Sequence, residues 1–388
     1  MRPAVLACLL VAGCSFQHGI LGAGPGDDAP PIDAPDVDAI DGSTECVTYS
    51  SLFDTCTSMT GTVDITLTPG QWTYSTDDHM LRGATPMVLS TMMIAAAAGP
   101  LDVAFVHSFT VQAGATLRVE GRTGDRPFGL AASGPVQIDG IIDLSDNGAG
   151  ARNDQACGGL VGTSGANGDG GAGGGGGGGF QGKGGAGSRG NADGPTSDGG
   201  PGGVAIPARP ASPIGGCDGG PGGDADEDGG EAGDGGGAIY IASAISIVLG
   251  PTGVIDAGGG GGAAGRANGA GGGGGGSGGM ILLESKAVTV SGTLAANGGG
   301  GGEGNTTGNP GQNGQRSKQR ALGGKDGDAN GGNGADGGAD TTLDGVATTD
   351  LQTGGGGGGG GGAGFIAIGC PSPATSAGTI SPPFAPWP

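Results

Sequence analysis

Two stretches of this chain carry side-chain oxygens at close, regular spacing. Asp224, Asp226, Asp228 and Asp234 surround Gly229 in the first, and Asp326, Asp328, Asn330 and Asp336 surround Gly331 in the second. Both read D-x-D-x-[DN]-G-G-[EN]-x-x-D, and alternate carboxylates around a glycine turn are what a calcium loop needs, because a hard cation takes several oxygens and the chain must curl to deliver them. The position that closes an EF-hand loop falls on Gly235 and Gly337, and no helices flank either stretch. The expectation is therefore a weak site, about millimolar as in extracellular modules, with a solvated acidic turn as the other reading. No other cofactor is expected.

Other reactive side chains are sparse. Asp139, Asp143 and Asp256 could do acid-base work on a glycosidic bond if two of them stood at the right separation. Asp143 and Asp256 occupy equivalent repeat positions, however, which favours stacking or a turn role. His18, His79 and His107 lack a Ser or Cys nucleophile context, and His and Cys do not cluster as a metal site would require. No catalytic residue is assigned and no enzymatic activity is expected. Trp72 and Tyr74 alternate on one strand, either as a sugar-stacking face or as the buried side of a cap.

The cysteines fit export. Met1-Arg2, a short apolar run and Val11-Ala12-Gly13-Cys14 resemble the lipobox of bacterial lipoproteins, with residues 1–13 removed and Cys14 acylated. By that resemblance, Ser15 after the cysteine directs the chain to the outer membrane, facing the periplasm or the cell surface. Cys46 and Cys56 are close enough for a local disulfide, Cys157 and Cys217 bracket the first glycine-rich stretch, and Cys370 is left as the odd one. The partner of the N-terminus is thus a membrane.

What must position these groups is unusual in composition. Of 388 residues 102 are glycine, while Trp, Tyr and Phe number 2, 3 and 8, so a core has to be narrow and repetitive. Fifteen basic side chains oppose 37 acidic ones, a net charge of −22, which excludes a basic nucleic-acid footprint. Residues 14–44, rich in Asp, Ala and Pro, read as an extended tether. Residues 45–100, with strand character at 63–68, 72–74 and 87–94, read as a β cap.

From Leu101 a unit recurs: VAFVHS, PFGLAAS, AIYIAS, MILLES and FIAIGC each open a set of short apolar strands. The units span 101–121, 127–148, 237–259 and 279–298, with a truncated fifth at 363–370. Three short strands in 20 to 23 residues suit one turn of a parallel β-solenoid. Alternation points Phe128, Leu130, Val136, Ile138 and Ile142 inward, then Ile239, Ile241, Ile245, Ile247 and Ile255, then Ile281, Leu283, Val288, Val290 and Leu294.

Between units lie glycine-rich inserts at 149–236, 260–278 and 299–362. They form either loose loops or packed extended helices of three residues per turn, polyglycine II-like, entering and leaving at the same edge of the coils. The fold class expected is all-β, a β-helix-like parallel solenoid over 101–370 interrupted by these inserts. Residues 371–388, with six prolines, should be irregular.

Lipobox, acidic spacer, Cys-x9-Cys and apolar coils alternating with inserts such as GGAGGGGGGGF together resemble the glycine-rich, PGRS-like surface lipoproteins of myxobacteria and their relatives. That resemblance implies an envelope location and this fold rather than a reaction. The glycine runs are also similar to the bundles of phage-fibre tips and certain antifreeze proteins, which implies loops presented at one end. The function expected is a lipid-anchored structural or interaction protein, an adhesin or surface-matrix component. The alternatives are a calcium- or glycan-binding extracellular module and a polysaccharide-acting β-helix enzyme.

Overall fold

In the computed structural model, the residues described are 48–387 other than 59–60, 122–125, 153–156, 192–193, 227, 267–268, 306–307, 326, 328–329, 350–352 and 372–373. Cys14 and Cys46, with the signal and tether assigned to 1–44, lie outside them, as do Asp326 and Asp328. The described chain is built almost wholly of strands and extended segments, with one short 3-10 turn at Gly158–Leu160.

The strands are β1 (Asp64–Leu67), β2 (Gly70–Ser75), β3 (Met80–Arg82), β4 (Met87–Val88), β5 (Thr91–Ala96), β6 (Gly99–Val106), β7 (Ser108–Val111) and β8 (Ala115–Glu120). There follow β9 (Phe128–Ala132), β10 (Val136–Ile138), β11 (Ile141–Asp143), β12 (Ala238–Ser243), β13 (Ile247–Leu249) and β14 (Val254–Asp256). The last are β15 (Met280–Ser285), β16 (Val288–Val290), β17 (Thr293–Ala295), β18 (Phe365–Gly369), β19 (Thr375–Ser376), β20 (Thr379–Ser381) and β21 (Ala385–Pro386).

They form three sheets. The six-stranded sheet runs β1-β7-β10-β13-β16-β19, the eight-stranded β20-β17-β14-β11-β8-β2-β3-β4, and the seven-stranded β21-β18-β15-β12-β9-β6-β5. From β6 onward the chain visits the seven-, six- and eight-stranded sheets in turn, so each circuit lays one parallel strand on each.

Register is flush, so like stacks on like. In the six-stranded sheet one rung reads Ile65, Phe109, Val136, Ile247 and Val288, and in the eight-stranded sheet another reads Trp72, Leu117, Ile142, Ile255, Leu294 and Ile380. These side chains make one buried core cluster. All the inward positions expected from the alternation are buried there except Ile245, which is 53% exposed. The correction has a local cause: Ser243 Oγ accepts from the backbone N–H of both Ile245 and Ser246, which turns a corner after β12 and throws Ile245 outward.

Both ends differ from expectation. Parallel stacking begins within the segment assigned as a cap, because β1 pairs with β7 and β2 with β8; only β3, β4 and β5 are antiparallel. The proline-rich tail is not irregular, since β19, β20 and β21 pair with β16, β17 and β18. As edge strands they have one side without a ladder, where a missing proline N–H costs nothing.

The outer face of the seven-stranded sheet is covered as well. Phe180 stacks edge-on to Phe365 at 5.0 Å, and Trp387 Nε1 donates to Ser51 Oγ at 2.7 Å. Cys157 and Cys217 are bridged, and Cys56 is also disulfide-bonded. Cys370 is a thiol whose pKa burial pushes up.

Candidate functional site

The glycine-rich segments run side by side and bond through their backbones with a period of three. Along 173–178 successive N–H groups donate to Ala166, Ser188 and Gly272, then to Thr163, Gly185 and Gly275. Three neighbours are thus served in rotation. Along 271–276 the same rotation runs Gly223, Gly356 and Ala263, then Gly220, Gly359 and Gly260. Such spacing requires glycine wherever a segment is surrounded: a Cβ at Gly176 would stand 2.5 Å from the Pro201 carbonyl carbon and nearer still to its oxygen.

Direction follows from this pairing. Residues 180, 238, 257, 280, 296 and 365 sit at the sheet end, while Gly168, Asn191, Asp224, Gly269, Asn305, Asn330 and Gly354 lie at the other. Bonds between described residues tie that far layer together: Gly168 N to Asp224 O at 3.0 Å, Asn191 N to Gly354 O and Gly354 N to Asn330 O, each at 2.9 Å, and Gly269 N to Asn305 Oδ1 at 2.6 Å. At about 3.1 Å per residue for a three-fold extended chain, residues 171–180 span roughly 28 Å.

This far end is the candidate site. Asp169, Asp224, Asp226 and Asp228 are exposed there, against Arg266 and Lys325. Asn330, from the second acidic stretch, is bonded into the same far layer as Asp224 through Gly354 and Asn191 on one side and Gly168 on the other, which their sequence separation did not reveal. Each set is nonetheless split. Asp234 lies five residues beyond Gly229, about 15 Å along the segment, and Asp336 is about 19 Å beyond Asn330. The extended run after Gly229 carries Asp234 away from Asp224 where a calcium loop would curl it back, so the first set does not converge as a loop of the expected kind, while Asp326 and Asp328 of the second lie outside the described residues. Among the described residues no group of three or more His, Cys, Asp or Glu could hold a metal ion.

Their carboxylates have other partners. Asp224 Oδ1 accepts from Gly229 N at 2.9 Å, and Asp224 Oδ2 accepts from Asn167. Asp336 Oδ1 accepts from Gly323 N at 3.0 Å and faces Lys325 Nζ at 3.3 Å. Asn330 accepts from Gly354 through its backbone oxygen and from Thr353 through its side chain. Half-buried Asp234 has its carboxyl pKa raised, chiefly by burial and further by Asp146 and Glu231.

The coil carboxylates serve the fold. Asp143 and Asp256 are direct register partners between Arg118 and Ala295. Arg316, from the third insert, reaches Asp256 Oδ2 at 2.7 Å and Asp143 Oδ2 at 3.2 Å. Burial raises the Asp256 pKa in spite of the guanidinium. Asn297 donates to the Gln315 and Ser317 carbonyls at 2.6 and 2.8 Å, so 315–317 is clamped to the sheet. Asp139 Oδ2 accepts from Gln137. Trp72 and Tyr74 both face the core, which leaves no stacking face for a sugar.

Sequence reading missed Arg316, for which an insert supplies no periodic signal. It also missed Asp102 and its pairing with Tyr74 and His79. Asp102 Oδ2 accepts from Tyr74 Oη at 2.8 Å and faces His79 Nδ1 at 3.2 Å. The sheet register puts Asp102 where Phe128, Ile239 and Ile281 stand, a correspondence that aligning the units on their small residues did not show. Comparison with family models, curated proteins and solved structures finds no match to this chain.

Proposed function

We propose that the chain is a lipid-anchored structural and interaction protein of the bacterial cell envelope, a parallel β-solenoid carrying a bundle of polyglycine II-like inserts that presents its turns at one end. The observation that carries this reading is the gathering of the bundle's reversals at the end opposite the sheets, joined by backbone hydrogen bonds between described residues. A bundle held by main-chain bonds in several directions is stiff without a wide hydrophobic core, and stiffness with exposed turns suits display rather than turnover. Acylation of Cys14 and the acidic tether over 14–44 would supply the anchorage.

The test is fractionation of the native host with lipid labelling. Label on the wild-type chain in the outer-membrane fraction, lost in Cys14→Ala, supports the reading. Unlabelled protein in the cytoplasm refutes it.

A second reading is that the far end binds calcium or a glycan, favoured by exposed Asp224, Asp226 and Asp228. A ligand specific for the native state raises the melting temperature. A calcium-dependent rise lost in Asp226→Ala would establish the cation reading; identical melts in calcium and chelator would remove it.

A further inference from the structure

Inside the bundle a surrounded segment gives its N–H groups to three neighbours in rotation, and along 344–348 that rotation stops one neighbour short. Gly345 N donates to Lys183 O at 2.8 Å and Thr348 N to Ala186 O at 3.0 Å, which is one direction. Val346 N donates to Asp336 O at 2.9 Å, which is the second. The third direction belongs to Asp344 and Ala347, and neither N–H has an acceptor among the described residues. The adjoining run 334–338 repeats the pattern. Gly334 and Gly337 donate to Gly324 and Ala321, Ala335 and Gly338 donate to Gly358 and Gly361, and Asp336 N between them has no acceptor among the described residues.

These two segments line a groove of about 480 Å³ on the flank of the bundle, and Asp336 and Ala347 are both in its wall. Asp344 continues the row of Ala347 one turn further on, about 9 Å along a three-fold extended chain. One wall is small and partly apolar, since Val346 is 36% exposed and Ala347 and Thr349 are exposed beside it. On the other, Lys325 Nζ faces Asp336 Oδ1 at 3.3 Å, so cation and carboxylate offset each other. Asp344 Oδ1 accepts from Lys183 N at 2.8 Å.

We propose that this groove docks a proline-rich segment of another protein, held in the extended form of three residues per turn. Donors one turn apart call for acceptors at the same pitch. A β-strand offers carbonyls to one side every second residue, about 6.7 Å apart, whereas a polyproline chain repeats every third residue, about 9 Å apart. Proline also brings free carbonyls and no N–H of its own to leave unpaired. Its chain is already extended before binding, so little freedom is lost, while a glycine chain would lose the most. The proline rings would rest on Val346 and Ala347.

Charge narrows the partner. The protein carries a net charge of −22, which repels acidic chains. Residues 14–44 hold six Asp and no Lys or Arg, so the chain's own proline-containing spacer is a poor occupant and a neutral or basic segment a good one. The groove is on the bundle's flank, and the inference depends neither on the far-end turns nor on the lipid anchor.

The test is fluorescence anisotropy of a labelled proline decamer titrated with the full chain, beside a glycine-serine decamer and a peptide copying residues 25–42. The proline decamer should bind saturably. Ala347→Pro takes away one N–H and keeps a backbone that proline itself adopts, and it should weaken binding by about fivefold, the worth of one hydrogen bond. No saturation up to about 1 mM, equal binding of the glycine-serine decamer, or unchanged affinity in Ala347→Pro overturns the proposal. Tighter binding of the 25–42 peptide would give the groove to the chain's own spacer and overturns it as well. Should Ala347→Pro fail to fold, Val346→Ser decides, because loss of the apolar contact should weaken binding by about threefold and an unchanged affinity refutes docking there.

Discussion

Gly176 lies inside the bundle, and its substitution by alanine measures how tightly the segments are held. The added Cβ would stand 2.5 Å from the Pro201 carbonyl carbon and 2.9 Å from the Gly200 oxygen. Carbon contacts are comfortable at about 3.5–4.0 Å, so the two segments must part by roughly an ångström. Gly176 N donates to Thr163 O at 2.9 Å, and Gly220 N donates to Gly176 O at 2.7 Å; displacement strains both bonds. Overpacking costs about 1–3 kcal/mol, and each hydrogen bond lost adds about 1 kcal/mol. Gly176→Ala should therefore destabilise by about 2–4 kcal/mol if one of the two bonds is lost and about 3–5 kcal/mol if both are. Gly159 is the control, because a Cβ there meets nothing within 4 Å. Gly159→Ala should be neutral or stabilising by about 0.4–1 kcal/mol through the unfolded chain. Urea unfolding followed by circular dichroism reads both. Equal midpoints for the two variants would refute close backbone packing in the bundle.

The remaining predictions concern the attachments. Arg316→Ala should free 315–317 for protease cleavage and cost about 1–3 kcal/mol, below the value for a sealed pair because the Arg316 side chain is 39% exposed and partly screened; unchanged proteolysis would contradict the clamp. Replacing Cys157 and Cys217 together by serine opens a closure of 60 residues and should lower stability by about 4 kcal/mol in the chain-entropy model, read as a lower urea midpoint without reductant. Asp256 has a raised folded pKa, so its contribution is present below the ordinary carboxylate range and fades as the pH rises through the folded value. Asp256→Asn should flatten that part of the stability-pH curve, and a slope identical to the wild type would assign the dependence to other groups.

Much of the architecture was legible because apolar alternation is a local property. Strand positions such as Ile239, Ile241 and Ile247 announce their inward faces through a period of two, and repetition of the unit implies stacking. Ile245 escaped because a corner made by the Ser243 hydroxyl breaks the period. The acidic stretches declared their ligand types, but whether their oxygens converge depends on backbone path: the extended run after Gly229 carries Asp234 away from Asp224.

The sequence by itself determined that the core had to be narrow, β-rich and repetitive, since few aromatics and regularly spaced aliphatics allow nothing broader. Its start and its cysteine spacing led to the expectation of export, and of those cysteines Cys157 and Cys217 are bridged. Only the tertiary structure decided which segments became neighbours. Glycine has no side chain to encode a partner, so which backbone receives the N–H of Gly176, and which layer takes Asp224 and Asn330, depend on how sheet circuits and inserts stack in space. The same holds for Arg316 and Asp102, whose partners lie 60 and 28 residues away respectively and meet them only when strands from different circuits align.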